Sequence, residues 1–238
     1  MDLQFSREVM LLGEEGLVRL QNAHVAVFGV GGVGSFTAEA LARAGVGTIT
    51  LVDNDVVSES NLNRQLVALH STIGQYKTDV MAARIADINP ACRVRAIQSF
   101  YEEENKEDFF CLGFDYIADA IDSVPSKLSL ISTAIARGVP IISSMGTGNR
   151  LDPSRFVITD ISKTSGCPLA RVMRRELRAR GITHHTVLAS TELPRKPLPS
   201  QEPGLRQSVP GSVSWAPPCA GMMLAGYILR TLALPESE

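Results

Sequence analysis

The sequence predicts an α/β fold with a doubly wound, mostly parallel sheet and a smaller C-terminal α/β extension. Two observations support this prediction. Apolar runs of strand length alternate with helical patterns over the first 150 residues, which is typical of a parallel sheet covered by helices on both faces. A glycine-rich loop also separates the first apolar run from the first helical pattern, as in Rossmann-like folds. A chain of 238 residues suits one such domain with a modest extension.

The elements of the first 150 residues follow from their apolar spacing. The run HVAVFGV at 24–30 predicts a buried strand, and TITLVD at 48–53 predicts a second. Between them, FTAEALARAG places small or apolar residues on one helical face and ends at Gly45. Such a unit implies a right-handed crossover between parallel strands. The other predicted elements are a short N-terminal helix, a helix at 77–90, a strand at 92–97, an acidic surface helix or turn at 101–110, a strand at 115–122, a helix at 124–138 and a strand at 140–145.

After residue 150 the pattern changes, and we divide the chain there into a core at 1–150 and an extension at 151–238. Residues 191–211 include five prolines and are predicted to form a mobile loop. Active residues are expected at the carboxyl ends of the core strands. The other elements predicted after residue 150 are a strand at 156–161, a helix at 168–181, a strand at 183–190, a short strand at 211–215 and a closing apolar helix at 217–234.

The composition limits the classes of partner and the cellular location. A net charge of -2 gives no overall attraction to nucleic acid or membrane, so a polyanion would need a local basic patch. The four cysteines include no Cys-x-x-Cys pair, which argues against zinc or a disulfide framework and favours reduced thiols in the cytoplasm. The N-terminus lacks the apolar segment of a signal peptide. The closing helix contains Arg230 and is predicted to be buried, although peripheral membrane association stays open.

The glycine-rich loop GVGGVG fits the G-x-G-x-x-G pattern of phosphate-binding loops. Gly29, Gly31 and Gly32 would let a phosphate approach the backbone, and the next helix would offer the N–H groups of its first turn. Asp53 ends the second strand, where a carboxylate can accept hydrogen bonds from ribose hydroxyls. For Asp55, turn capping and a nucleotide-site role are equally favoured. The pattern alone does not distinguish NAD, FAD, AdoMet and ATP.

Polar residues after the second strand favour phosphate chemistry over redox chemistry. Arg64 and Lys77 lie close in sequence to the predicted nucleotide edge, and a dehydrogenase has no use for them there. A carboxylate that attacks the α-phosphate of ATP is an anion approaching an anion, so positive charge must already be in place. Asn61 would add a neutral donor. Asp122 is a candidate Mg²⁺ ligand, because this ion takes few protein carboxylates when ATP phosphates are nearby.

The motifs GVGGVGS, LVDNDVVSESNLNRQ, IGQYKTDV and DAIDSVPSK occur in the order and spacing of the ubiquitin-activating-enzyme superfamily, whose bacterial members include MoeB and ThiF. The chain resembles this superfamily over residues 5–150. The resemblance implies an ATP-binding core that adenylates a carboxylate with Mg²⁺, in a homodimer whose Arg7 reaches into the neighbouring subunit's ATP site. The catalytic residues that it implies are Arg7, Arg64, Lys77 and Asp122, and the ATP contacts are Gly29, Gly31, Gly32, Asp53, Asn61, Arg64 and Lys77.

Residues after 150 are similar to the TcdA branch of this superfamily, the tRNA threonylcarbamoyladenosine dehydratases, in VITDISKTSGCPLARVMRRELRARG and GSVSWAPPCAGM. This resemblance implies an ATP-dependent dehydration, in which the threonyl carboxylate of the modified adenosine is adenylated and the side chain cyclises. The first alternative is adenylation of the C-terminal glycine of a ubiquitin-like sulfur-carrier protein. A noncatalytic nucleotide sensor or a dehydrogenase is a second. A monovalent cation and a sulfur-transfer protein of a cysteine desulfurase system are further candidates as cofactor and partner.

Four arginines on one predicted helix suggest a surface for nucleic acid. Arg171, Arg174, Arg175 and Arg178 have the offsets 0, 3, 4 and 7, so they share one helical face. Like charges at these spacings repel one another, whereas a tRNA backbone would turn the repulsion into attraction. A solvated face is the alternative, and these residues alone leave the two equally favoured.

Two cysteines and two histidines are the remaining candidates for chemistry. Cys167 or Cys219 could serve as a nucleophile if it lay at a helix N-terminus, but cyclisation within one nucleoside needs no protein thioester. His184 and His185 alternate along a predicted strand, so at most one of them faces any site. A structural or surface role is therefore favoured for both over that of a general base.

Overall fold

A single sheet runs through the protein, for which a computed structural model describes residues 3–199 and 210–234. Its strands within these residues are β1 (His24–Phe28), β2 (Thr48–Val52), β3 (Arg93–Ile97), β4 (Tyr116–Asp119), β5 (Ile141–Ser144), β6 (Phe156–Asp160) and β7 (Thr186–Ser190). Their order across the sheet is β3-β2-β1-β4-β5-β7-β6. Every neighbouring pair is parallel except β6 and β7. The predicted doubly wound, mostly parallel α/β fold is therefore confirmed.

Helices cover both faces of the sheet. In the described residues they are α1 (Ser6–Asn22), α2 (Gly34–Arg43), α3 (Lys77–Ile88), α4 (Lys106–Phe110), α5 (Val124–Ala136), α6 (Pro168–Ala179) and α7 (Ala216–Ala233). Val25 and Val27 of β1 pack in one core cluster with α2, α3 and α7, whereas Ala26 and Phe28 pack in another with α4, α5 and α6. Because successive strand residues point to opposite faces, β1 is apolar at each of its four buried positions. This explains the continuous apolar run of the sequence.

The strand order creates a crevice at the carboxyl ends of β1 and β4. β1 pairs with β2 on one side and with β4 on the other, so the connections after β1 and after β4 leave the sheet in opposite directions. In open α/β sheets such a switch point is where ligands bind.

The helix α7 closes one face of the sheet against α2. The Thr37 hydroxyl donates a hydrogen bond of 3.0 Å to the carbonyl oxygen of Gly221. A Cβ atom at Gly221 would collide with the carbonyl of Val33, and one at Gly32 would lie 3.1 Å from the Cβ of Pro217. The helix therefore packs directly against the glycine-rich loop. No helix in the described part of the chain is long and apolar enough to cross a membrane.

The short strand predicted at 211–215 is wrong, because those residues bond to loops rather than to a neighbouring strand. The backbone of Gly211 pairs with Asn149, and the carbonyl oxygen of Ser212 accepts a hydrogen bond from the Asn63 side chain. Residues 191–199 contain no helix or strand, and 200–209 lie outside the described residues, so the mobility of the predicted loop stays a prediction. β6 and β7 join the same sheet as the earlier strands, and the division at residue 150 also stays a prediction.

Candidate active site

A cavity of about 700 Å³ lies at the carboxyl ends of the central strands. Its volume is that of a typical site for a small molecule or cofactor. Every residue predicted to hold ATP or a metal ion lines it: Gly29, Gly31, Gly32, Asp53, Asp55, Asn61, Arg64, Lys77 and Asp122. The fold thus brings together residues that are spread over nearly 100 positions of the sequence. Their individual roles stay predictions.

The glycine-rich loop forms the floor of this cavity. Gly29 follows β1 with a φ of 87°, which favours glycine. A Cβ atom there would lie 2.7 Å from the carbonyl oxygen of Ala120, and one at Gly34 would collide with the carbonyl of Gly29. The start of α2 has no side-chain cap. The Ser35 N–H donates to the carbonyl oxygen of Gly31, so an anion would have to use other N–H groups of this turn.

Asp53 connects the end of β2 to the glycine-rich loop. One carboxylate oxygen accepts a hydrogen bond of 2.6 Å from the backbone N–H of Val30, and the other accepts one of 2.9 Å from the N–H of Asp55. These bonds fix the orientation of the carboxylate, which lines the cavity at the predicted ribose position. Asp53 therefore has a structural role in addition to its predicted one.

Lys77 and Asp55 form an ion pair at the edge of the cavity. The Lys77 ammonium lies 2.7 Å from a carboxylate oxygen of Asp55, and the lysine side chain is 6% exposed whereas the aspartate side chain is 60% exposed. Lys77 is also the first residue of α3. Asp55 thus holds the lysine cation in place. The sequence predicts turn capping or a nucleotide-site role for Asp55, but not this ion pair.

Arg64 lies against the glycine-rich loop. Its guanidinium donates hydrogen bonds of 2.9 Å to the carbonyl oxygen of Ser60 and to the side-chain oxygen of Asn63. A Cβ atom at Gly32 would lie 3.5 Å from the Cγ of Arg64. The buried Asn61 closes the preceding turn, because its side-chain oxygen accepts a hydrogen bond of 3.2 Å from the N–H of Ser58. The turn therefore directs the arginine along the cavity wall.

Asp122 is exposed in a turn that a buried ion pair supports. Asp119 ends β4, and its Oδ1 accepts hydrogen bonds of 2.8 Å from the Lys127 ammonium and 3.1 Å from the N–H of Ile121. Both charged side chains of the pair are fully buried. No cluster of three or more His, Cys, Asp or Glu residues capable of holding a metal occurs in the described part of the chain. One carboxylate suffices, however, for an ion whose other ligands are phosphates and water.

Arg7 does not reach the cavity of its own chain. It is exposed in the first turn of α1, two residues after Phe5. The ring of Phe5 would lie 3.1 Å from a Cβ atom at Gly45. Gly45 precedes β2 and therefore lies near the amino ends of the strands, whereas the glycine-rich loop lies at their carboxyl ends. The position of Arg7 leaves its predicted role across a dimer open.

The four arginines of α6 do not have equal surroundings. Arg171, Arg175 and Arg178 are exposed, although Arg175 also pairs with Glu176 at 2.8 Å. Arg174 is half-buried, and its guanidinium donates hydrogen bonds of 2.8 and 2.7 Å to the carbonyl and hydroxyl oxygens of Thr164. Arg174 therefore anchors the helix to the preceding loop. Three arginines present their charge to solvent.

The histidines and the two candidate cysteines lie outside the cavity. Burial lowers the pKa of His185 to about 4, and its Nε2 lies 2.8 Å from the hydroxyl of Ser143. His184 is exposed beside Asp160. Cys167 is buried and Cys219 is half-buried. No histidine or cysteine is among the described residues that line the cavity.

Sequence reasoning missed several contributors to this site. Asp119 and Lys127 stand in the quoted motif DAIDSVPSK, but only a structure shows that they pair. Gln65, next to Arg64, is buried on the cavity wall, and its Oε1 has no hydrogen-bond partner among the described residues. Ser212 and Pro217 form a further wall of the cavity. The local sequence pattern does not predict contacts between such distant parts of the chain.

The fold and the cavity define a nucleotide-binding α/β protein, and Arg64 and Lys77 supply positive charge to the lining of its cavity. The pattern of the ThiF family matches residues 5–237, and the chain therefore belongs to the ThiF family. This confirms the resemblance stated from the motifs.

Individual relatives narrow the comparison. The chain is 49% identical over 239 residues to a tRNA threonylcarbamoyladenosine dehydratase of Bacillus subtilis (strain 168), a match covering 96% of this chain and 94% of that protein. The crystal structure of E. coli tRNA N6-threonylcarbamoyladenosine dehydratase, TcdA, in complex with ATP is similar with a TM-score of 0.87 and 35% identity. The match covers 96% of this chain and 93% of that chain. The AMP complex of the same E. coli enzyme has a TM-score of 0.88.

Proposed function

We propose that this protein is an ATP-dependent enzyme that dehydrates threonylcarbamoyladenosine in tRNA. The observation that carries the proposal is the convergence of Arg64, Lys77 and Asp122 on one cavity with a glycine-rich loop. Near-full-length similarity to tRNA threonylcarbamoyladenosine dehydratases supports the choice of substrate.

The reaction has two steps. An oxygen of the threonyl carboxylate attacks the α-phosphorus of ATP, the bond to the bridging oxygen breaks, and pyrophosphate leaves. A neighbouring group of the same nucleoside then attacks the acyl carbon and loses its proton, while AMP departs with the carboxylate oxygen. The nucleoside has lost one water. Arg64 and Lys77 would act in the first step, because cations fixed in a cavity stabilise charge that gathers on the phosphates.

Mg²⁺ is part of this proposal. The exposed carboxylate of Asp122 lines the cavity, and the Asp119–Lys127 pair holds its turn. These residues fit an ion that takes one protein carboxylate beside ATP phosphates. When bound there, the ion would neutralise phosphate charge.

A homodimer is also proposed, and the exposed apolar side chains of residues 3–11 support it. Leu3, Met10 and Leu11 are 86%, 82% and 85% exposed, in the same segment as the exposed Arg7. An apolar surface of this kind suits a second protein chain. A monovalent cation, a sulfur-transfer partner and a cytoplasmic location rest on the resemblance and on composition, and they stay proposals.

The function is tested with tRNA that carries threonylcarbamoyladenosine. The purified protein is incubated with this tRNA, ATP and Mg²⁺, and the digested nucleosides are weighed. We expect the modified nucleoside to lose the mass of one water only when ATP is present. An unchanged mass would overturn the proposal. ATP–pyrophosphate exchange that depends on a diglycine-tailed protein would instead support the sulfur-carrier alternative.

The role of Arg64 is tested in the same assay. Arg64→Ala should lower kcat/KM by about 100-fold or more, as the loss of a group that stabilises transition-state charge does. The matched control is Arg137→Ala, because Arg137 lies outside the cavity and pairs with Glu107 on the surface. Near-normal turnover of Arg64→Ala would refute the assigned role.

A further inference from the structure

Asn149 joins two segments that are distant in sequence. Its backbone N–H donates a hydrogen bond of 2.8 Å to the carbonyl oxygen of Gly211, and its side-chain oxygen accepts one of 2.7 Å from the N–H of Gly211. The carbonyl oxygen of Asn149 accepts a third bond, of 3.0 Å, from the N–H of Arg195. One residue therefore bonds to both described parts of the proline-rich segment 191–211, namely 191–199 and 210–211.

The backbone of Asn149 is unusual in a way that fits this role. Its φ of 59° lies in the left-handed region, which asparagine tolerates better than most residues with a side chain. A sparsely populated conformation of this kind persists only when surrounding contacts hold it, and it is more frequent at functional sites.

The segment that Asn149 holds forms one wall of the cavity. Pro210 and Ser212 line the cavity, as does Gly148 on the facing loop. A Cβ atom at Gly148 would lie only 2.8 Å from the Cβ of Pro210, so the two sides are packed tightly. The side chain of Asn63 adds a hydrogen bond of 3.1 Å to the carbonyl oxygen of Ser212. Because no strand forms here, these few bonds fix the wall.

This wall lies on the opposite side of the cavity from the predicted ribose end. Asp53 stands at the end of β2, whereas Gly148 follows β5 on the other side of β1 and β4. Leu169, in the first turn of α6, lines the cavity on the same side as the wall. The exposed Arg195, whose backbone N–H bonds to Asn149, supplies a cation on this side, so an anionic acceptor would enter here.

We propose that Asn149 is a positioning residue for the acceptor substrate: it fixes the Pro210–Ser212 wall and the backbone of Arg195 where the modified nucleotide of tRNA enters. The inference rests on the proposed function. Asn149 is not among the residues that line the cavity. We therefore expect removal of its side chain to weaken the affinity for tRNA and to leave the affinity for ATP unchanged.

The test uses Asn149→Gly in the full chain. Glycine adopts a positive φ without cost, so this variant keeps the backbone conformation and removes only the side-chain bond to Gly211. We expect KM for tRNA to rise about tenfold, with kcat and ATP affinity within about twofold of wild type, the pattern of lost uniform binding. Hydrogen exchange at the Gly211 amide should become faster.

A second variant disturbs the same wall from its other side. Gly148→Ala would push Pro210 outward, and KM for tRNA should rise in the same way. The control is Asn22→Ala, because the Asn22 side chain also bonds to a backbone carbonyl, that of Val18 on α1. The KM of Asn22→Ala for tRNA should equal that of the wild type.

Two outcomes overturn the proposal while the proposed function stands. One is a wild-type KM for tRNA in Asn149→Gly. The other is a parallel loss of ATP and tRNA affinity, which would indicate a general structural role. If the wild-type protein itself leaves the modified nucleoside unchanged, the proposed function fails first and this role fails with it.

Discussion

At the residue scale, the buried pair of Asp119 and Lys127 holds the turn that carries Ile121 and Asp122 into the cavity wall. Neither charged side chain is exposed, and the Asp119 Oδ2 has no hydrogen-bond partner among the described residues. A buried ion pair adds little net stability, but removal of one partner leaves the other charge buried and unpaired. The pair therefore constrains mutation more than it stabilises the fold.

Lys127→Ala should lower the free energy of unfolding by about 3–5 kcal/mol, because it leaves the Asp119 carboxylate buried and uncompensated. Urea unfolding measures the change. The double variant Asp119→Asn with Lys127→Met removes both charges and should recover part of the loss. A single variant as stable as wild type would contradict the burial of the pair.

His185 predicts how stability depends on pH. Burial lowers its pKa from 6.5 to about 4; smaller effects come from the charges of Asp119 and Asp160, which raise this pKa, and from Lys127, which lowers it. Because the folded pKa is depressed, the unfolded chain binds more protons between these values, and stability is lost as pH falls through this window. His185→Gln should reduce this loss by about 3 kcal/mol. Unfolding free energies of both proteins at several pH values give the comparison, and parallel curves would contradict the prediction.

At the element scale, α6 connects the cavity to a basic surface. Leu169 lines the cavity, and Arg171 and Arg178 are exposed further along the same helix. Arg174 is a poor choice for testing this surface, since its loss would also break two bonds to Thr164.

Arg171→Glu combined with Arg178→Glu should weaken tRNA binding and leave ATP affinity unchanged. Each lost phosphate contact should reduce the slope of log affinity against log salt by about one. Binding measured at several salt concentrations provides the slope, and Arg137→Glu serves as a control at a surface outside α6. An unchanged slope would show that α6 does not face the tRNA.

Elements were predictable where local pattern and packing agree. The strand β1 is apolar at each buried position because both of its faces carry helices, and its position follows from that pattern. Residues 211–215 have a strand-like composition, but their hydrogen-bonding partners are Asn149 and Asn63 in loops. Local sequence carries no information about such partners, so this prediction was wrong.

At the scale of the whole molecule, the sequence predicted the part of the cavity lining that follows the strands, but not the wall at Pro210–Ser212. Gly29, Asp53 and Asp122 lie in motifs that follow strands of a parallel sheet, whose carboxyl ends must meet. The wall at Pro210–Ser212 comes from a segment without regular structure. Its position depends on a few long-range bonds, which periodicity and motif spacing do not encode.

The proposed dimer predicts complementation between inactive variants. Arg7→Ala and Arg64→Ala each disable a site, but a mixed dimer would combine both changes in one site and leave the other intact. Equal coexpression should therefore restore about a quarter of wild-type activity, because half of the dimers are mixed and have one working site. The measurement is ATP-dependent dehydration by the coexpressed proteins. Activity no higher than that of the separate variants would argue against Arg7 acting across subunits.

The contact of α7 with the glycine-rich loop has a consequence for synthesis on the ribosome. Translation delivers the chain from its N-terminus, so the strands β1 to β7 emerge before residues 216–233. Until α7 arrives, the apolar side of α2 is uncovered and the loop lacks its support from Pro217. We therefore expect a chain that ends before α7 to expose apolar surface and to bind ATP more weakly than the full chain, which a comparison of ATP affinity for the two proteins would check.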